Sequence, residues 1–366
     1  MPDSYTIKTE EEWVDGMSKT DKETNKVIMK RLEDWEFNSK TKKITGSKLD
    51  RAFLFAYHVI VEQQDLPLLP VLKGAIAADT NPPHDYDGQV QKFIDGDGKG
   101  TAREHKLFQN NGGSLGMIWS SLQRVQELRK PPPETAPPTS PRPRRAGNKR
   151  KRYPVLSDAE REDSQASEKE NDRSYVKAVA TTNLPSEDYT VRMISSVLRH
   201  VIYHSQSENE LDTLEFREKE SLEFKNRRGV AFHATDDGGL SLRDRTNMIS
   251  NFIAIVEAKK AMYTDEKGDH YIYHKDLAQM TCEAIVAKQC CPGQLCGDSV
   301  VIIHAVRNFI CFLEFKISKG YMDQFINGET PAEPLVVHTT KWFDISKGNG
   351  RSGIADNLRG LIKASQ

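Results

Sequence analysis

Apolar side chains recur with two different periods along this chain, and the changes of period divide it into elements. From about Glu10 to Trp35, and again from Lys48 to Gln63, the spacing is helical, with Ala52, Phe53, Ala56, Tyr57 and Ile60 forming a stripe in the second segment. Asn81-Pro82-Pro83 interrupts as a turn-rich patch, and Leu115 to Leu128 resumes a helical pattern. These segments predict a mainly helical region over residues 1–130, and no internal repeat is visible.

The pattern then stops. Residues 131–174 run through PPPETAPPTSPRPRRAGNKRKRYP into SDAEREDSQASEKENDRS. Proline removes backbone donors and the remainder is too polar to bury a core, so a disordered linker, basic and then acidic, is expected here.

From 175 to 366 helical and extended periods alternate. Tyr189 to His204 carries Met193, Val197 and Val201 on one stripe, with Ile194, Leu198 and Ile202 beside it. Gly229–His233 and Leu240–Leu242 read as short strands joined by a hairpin turn at Asp236-Asp237-Gly238-Gly239. Phe252 to Val256 is an unbroken apolar run, expected as a strand buried on both faces. A helix over Lys275–Lys288 follows. A second hairpin is expected from Ser299–Val306 and Phe309–Ile317 around Arg307-Asn308, and a last helix over Gly353–Ala364. This order predicts an α/β domain with a mixed sheet.

Composition changes the picture little. The 366 residues carry a formal net charge of −1, so any basic surface has to be local. The N-terminus lacks the apolar core of a signal peptide, and no apolar run approaches the roughly 20 residues that span a bilayer. A soluble, intracellular chain without membrane contact is expected, and five cysteines confined to one stretch fit a reducing compartment. Cys282, Cys290, Cys291 and Cys296 match no common zinc spacing and are expected to be packing thiols. Asp95-Gly96-Asp97-Gly98-Lys99-Gly100 resembles the start of a calcium loop. Lysines occupy two of its ligand positions, so a glycine-rich turn is expected. His200, His204, His233 and His270 show no metal spacing, and no Ser or Cys nucleophile motif is read in the chain.

The chemistry is expected where the apolar strand ends, at Glu257-Ala258-Lys259. Strand side chains alternate, so Glu257 and Lys259 share a face, here expected to be exposed. One carboxylate does not hold a hard cation alone, and Asp236, Asp237 and Asp244 on the preceding hairpin are the candidates for a second. Two carboxylates, the Ala258 backbone carbonyl and waters would suit Mg²⁺ or Mn²⁺. Lys259 would then orient a water or offset charge on a pentacovalent phosphorus, as in metal-assisted phosphodiester hydrolysis.

An acid on a hairpin, an apolar strand ending in Glu-x-Lys and a following helix resemble the PD-(D/E)XK nuclease superfamily. D-D-G-G-L at 236–240, I-V-E-A-K-K at 255–260 and A-Q-M-T-C-E-A at 278–284 look like an uncharacterised fungal branch of it. The resemblance covers roughly Tyr189 to Lys363. It implies a restriction-endonuclease-like mixed central sheet flanked by helices over 175–366, and divalent-metal cleavage of nucleic acid, DNA rather than RNA. It also implies a role for Gln279, placed where many members carry a glutamine. The family's Pro-Asp dipeptide is absent here. Of the candidate first acids, Asp237 matches best by its place in D-D-G-G, with Asp236 or Asp244, which has the shorter spacing to Glu257, as the alternative. A nuclease fold that has lost catalysis and binds nucleic acid or protein is the competing expectation.

Glu-x-Lys recurs at Glu223-Phe224-Lys225, in a polar, helix-like run, and at Glu314-Phe315-Lys316, where Asp298 would be the acid. Glu314 and Lys316 are expected at a solvated sheet edge. In the linker, Arg142, Arg144 and Arg145 with Lys149, Arg150, Lys151 and Arg152 form a double basic cluster. It is expected to bind an importin-type receptor or phosphate and to place the protein in the nucleus rather than the cytoplasm. The acidic stretch that follows would shield it, with Ser157 as a phosphorylation site.

Overall fold

The computed structural model describes residues 4–19, 43–78, 84–97, 103–127, 187–246, 248–291 and 298–365. Before residue 128 come α1 (Glu10–Lys19), β1 (Lys43–Thr45), α2 (Arg51–Ala56), β2 (Val59–Leu66), α3 (Pro70–Ala78), α4 (Gln89–Asp95), α5 (Glu104–Asn111) and α6 (Gly113–Glu127). The second half opens with α7 (Glu187–His204), β3 (Thr213–Arg217), β4 (Ser221–Lys225), β5 (Ala231–Thr235), β6 (Gly239–Arg243), β7 (Ile249–Lys259), β8 (Tyr263–Thr264) and β9 (His270–Tyr271). It closes with α8 (His274–Cys290), β10 (Ser299–Val306), β11 (Phe309–Lys316), α9 (Lys319–Asn327), β12 (Leu335–Thr340), β13 (Phe343–Asp344) and α10 (Gly348–Ser365).

Eight strands form a mixed, open sheet in the order β2-β12-β11-β10-β7-β6-β3, with β13 alongside β11. β7 runs parallel to β10, and β6 and β11 run antiparallel to their neighbours. The middle of the sheet is apolar on both faces because its strands are. Every residue of β10, SVVIIHAV, is buried. Moving one such aliphatic side chain out of water is worth about 1.5–3 kcal/mol. Val300 and Ile302 join one core with α2, α8 and α9, while Val301 and Ile303 join another with α3, α4, α6, α7 and α10. The expected α/β class and mixed sheet hold.

The described residues before 128 do not form a helical region of their own. Helix α2 starts on the cap of Asp50, whose side chain accepts from the Ala52 amide at 2.9 Å, and it stops at Ala56. His58 then turns through a left-handed φ of 52°. Val59-Ile60-Val61, which helical spacing had placed in a longer helix, instead extends into β2 and pairs in parallel with Leu335-Val336-Val337 of β12. β-Branched side chains and a waiting sheet edge outweigh the spacing. Strand β1 likewise pairs with β5 in a second sheet, ordered β1-β5-β4. The described residues on both sides of 128–184 therefore belong to one compact unit, against the expected split at 131–174. That linker, its basic clusters, Ser157, Cys296 and the Asn81–Pro83 turn lie outside the described residues, as does most of Glu10–Trp35 beyond α1.

A second difference concerns the expected hairpin at 236–239. β5 and β6 do not pair with each other. β5 pairs with β4 in the small sheet and β6 with β3 in the large one, so the chain crosses between sheets at Asp236-Asp237-Gly238. Gly238 makes the crossing with φ 137°, and a Cβ there would lie 2.8 Å from the Phe216 ring. Hairpin β10–β11, helix α7 and helix α8 match their expected positions closely, and α10 starts earlier than expected.

Candidate functional site

Strand β7 does not stop at Val256 but carries on through Glu257 and Lys259, held by parallel pairing of His304 with Glu257 and Val306 with Lys259. Glu257 has the same parity as Ile255, which packs in the core beneath α8, so its side chain also points toward that helix. It is 1% exposed. The expected exposed pair is thus a buried carboxyl with a partly covered lysine.

Lys259 Nζ donates to Glu257 Oε1, and Gln279 Nε2 donates to the same oxygen at 2.6 Å. The Gln279 amide also donates to Glu283 Oε1, one helical turn on, at 2.9 Å. Two carboxylates on one amide nitrogen fix which way that amide faces. His304 of β10, paired beside Glu257 and buried on the same face of the sheet, lies 3.2 Å through Nδ1 from the Glu257 carbonyl. Burial pushes its imidazole down to about 3, so it stays neutral.

The sheet crossing delivers Asp237 to this point. Its amide donates to the Val256 carbonyl, and its Oδ2 accepts from the Ala258 amide, each at 3.0 Å. Lys219 stands 3.6 Å from Oδ1. Asp237, Glu257, Lys259 and Gln279 are therefore brought together. The alternative acids are not. Asp236 is buried and committed to Arg217 through Nη1 at 3.1 Å and Nη2 at 2.5 Å, and it also accepts from the Glu220 and Gly238 amides. Asp244 closes the turn at the far end of β7, accepting from Thr246 and Met248. Strand geometry of about 3.3 Å per residue puts it well over 20 Å from Glu257. These hydrogen bonds hold its carboxyl below the usual range.

Three further acids surround the site that sequence reasoning did not name. Burial raises the Glu257 carboxyl to about 8 against the pull of Lys259, and the charges of Asp237 and Glu187 add to the rise. Glu187, first residue of α7, is raised by burial and by Asp237. Glu283 is raised by complete burial and by Glu257, and its Oε2 has no hydrogen-bond partner. For Lys259 burial works downward, but Glu257, Glu187 and Asp276 outweigh it and hold the ammonium on. A signal for two of these acids did exist. Asp276 and Glu283 lie three residues before and four after Gln279, which is helical spacing on α8. Glu187 gave no such signal, because only the tertiary fold brings α7 here.

The crowding has a measurable cost. Asp276 is raised to about 6, first by burial and then by Glu187, against Lys259. A carboxyl raised in the folded chain favours folding while it is protonated and loses that advantage as pH climbs through the folded value. Asp276→Asn is therefore expected to gain about 2 kcal/mol of stability near pH 8 and well under half of that near pH 4, read from urea unfolding at both.

The rival triplets go elsewhere. Glu223 and Lys225 lie on β4, not in a helix, and Glu223 pairs with Lys43 at 3.4 Å on the surface. Glu314 is buried, not at a solvated edge. It accepts from Ser299 Oγ and the Val71 amide and faces His338, with Lys316 turned to solvent. Asp298 pairs with Lys288 at 3.7 Å. Cys282 and Cys311 are buried free thiols, consistent with packing.

Among the described residues no three His, Cys, Asp or Glu side chains converge on one cation position. The donor chemistry around Glu257 nevertheless suits a hard divalent ion. Asp237, at the crossing between the sheets, and Glu257, on β7, offer carboxylate oxygen, the donor type such an ion takes. Among the described residues no helix is long and apolar enough to cross a membrane. Comparison with family models, curated proteins and solved structures yields no match.

Proposed function

We propose that this protein is a divalent-metal-dependent nuclease of restriction-endonuclease-like fold, acting on DNA rather than RNA. The observation that carries this reading is the meeting of Asp237, Glu257, Lys259 and Gln279 at the end of β7. Asp237, Glu257 and the Ala258 carbonyl would hold Mg²⁺ or Mn²⁺, which when bound supplies Lewis acidity and a more acidic water. Lys259 would place its ammonium beside the scissile phosphate, and Gln279 would keep Glu257 aimed. Glu187 would add negative charge at the mouth of the site. The basic clusters from Arg142 to Arg152 would serve nuclear import by an importin-type receptor.

A second reading, a nuclease fold that binds nucleic acid without cutting it, is favoured by one contact. Lys259 closes directly on Glu257 and so neutralises the carboxyl a metal would need. Calorimetric titration with Mn²⁺, paired with Mg²⁺-dependent nicking of plasmid DNA, separates the two. Cation binding lost in both Glu257→Ala and Asp237→Asn, together with nicking that EDTA abolishes, supports the nuclease. Unchanged affinity in Glu257→Ala overturns the metal site, and salt-sensitive DNA binding without nicking selects the second reading.

A further inference from the structure

On the other face of the large sheet, α4, α6 and α7 bring a hydroxyl and an imidazole together. Ser114, at the start of α6, donates its Oγ–H to His200 Nδ1 of α7 at 2.8 Å. The direction of that bond is settled by the other ring nitrogen. His200 Nε2 lies 3.0 Å from the Gln89 carbonyl of α4, which only accepts, so the ring proton sits on Nε2 and the lone pair on Nδ1 faces the serine. This is a nucleophile, a base and a group that orients the base, in contact and in order.

The local sequence fits the same use. Gly112-Gly113-Ser114-Leu115-Gly116 is a G-x-S-x-G stretch, which the reading of the chain as lacking nucleophile motifs overlooks. It joins two helices here instead of a strand to a helix, so the contact to His200, not the five letters, carries weight. Gly112 turns the chain at φ 80° between α5 and α6, and a Cβ at Gly112 or Gly113 would meet nothing within 4 Å. Open space thus borders a half-buried Ser114. A Cβ at Gly116 would strike the Phe108 backbone at 2.7 Å, so its absence lets α6 close on α5. The first-turn amides of α6 lie next to the hydroxyl with no acceptor of their own helix, as suits a developing oxyanion. Met117, one turn on from Ser114, is 39% exposed and offers an apolar neighbour.

We propose that Ser114 is an activated nucleophile with His200 as its base, and that the pair takes carboxylic esters with an apolar acyl group. The Ser114 oxygen would bond to the ester carbonyl carbon while its proton passes to His200 Nδ1. The C–O bond to the alcohol then breaks and the alcohol leaves with that proton. Water, deprotonated by the same nitrogen, releases the acid and restores the serine. Burial pushes His200 down to about 4 and so opposes the imidazolium, while the Gln89 carbonyl and the Asp85 charge pull the other way. The geometry of the Ser114–His200–Gln89 contacts carries the assignment. None of this depends on the carboxylate site.

The full-length protein treated with a fluorophosphonate probe tests the proposal, with peptide mass spectrometry locating the adduct and 4-nitrophenyl butyrate hydrolysis as the second readout. An adduct on Ser114 in the folded chain, absent in urea, is the expected result, and it requires no variant to fold. His200→Asn, confirmed folded by its thermal transition, should slow labelling about 100-fold or more. No Ser114 adduct in the folded chain, or labelling as fast in urea, overturns the nucleophile. Wild-type labelling in His200→Asn overturns the base.

Discussion

Lys259→Met is expected to lower the proposed metal-dependent DNA cleavage about 10²–10³-fold while cation affinity stays level or rises. Lys259 Nζ sits on Glu257 Oε1, the oxygen that Gln279 also binds. If the ammonium serves the phosphate during reaction, removing it removes charge stabilisation from the transition state only, and kcat falls. The same substitution frees a carboxyl oxygen that a cation would otherwise contest, so binding does not suffer. Methionine retains the length and apolar stem that lie against the sheet. Cleavage kinetics and Mn²⁺ titration on one preparation read the two quantities. Cleavage that persists within about threefold would remove Lys259 from the chemistry, and a loss of cation binding equal to that of Glu257→Ala would make it a structural partner alone.

Arg217→Ala is expected to cost about 3–5 kcal/mol, the largest stability effect near the site. Arg217 and Asp236 are both buried and share two hydrogen bonds, and the guanidinium also lies 5.0 Å over the Phe252 ring. Removing the arginine strands a carboxylate at the crossing between the two sheets. The neighbouring Asp237, which meets Glu257 only because of that crossing, loses its anchor as well. Arg217→Met combined with Asp236→Asn cancels both charges while keeping an acceptor for the Glu220 and Gly238 amides, and should recover at least half of the loss. Urea unfolding of the single and double variants measures this. A single-variant cost under about 1 kcal/mol would mean the pair is not what holds the crossing.

Much of the second half was legible in the sequence. The runs at 299–306 and 309–316 were long, apolar and β-branched, and α7 carried an unambiguous stripe. Glu257, Lys259 and Gln279 could be grouped because strand parity and element order act locally. Burial of Glu257 could not be read, since it depends on α8 closing over the strand end. The hairpin at 236–239 was misread because Asp-Asp-Gly-Gly suits a tight turn, and only pairing of β4 with β5 and of β3 with β6 turns it into a crossing. Strand β2 was misread for a similar reason. Val59-Ile60-Val61 satisfies a helical stripe as well as a strand, and its partner lies far along the chain. Ser114 escaped because its histidine is in a different helix, beyond 128–186.

The pairing of β2 with β12 also sets a timetable. Glu62 and His338, which touch across these strands, are 276 positions apart. While the chain is being synthesised, the apolar edge at Val59-Ile60-Val61 leaves the ribosome well before its partner, and waits while the 276 positions between Glu62 and His338 are made. For that interval the nascent protein carries an unpaired, aggregation-prone strand. Efficient production should therefore depend on holdase chaperones, and slowing translation would lengthen the hazard instead of relieving it.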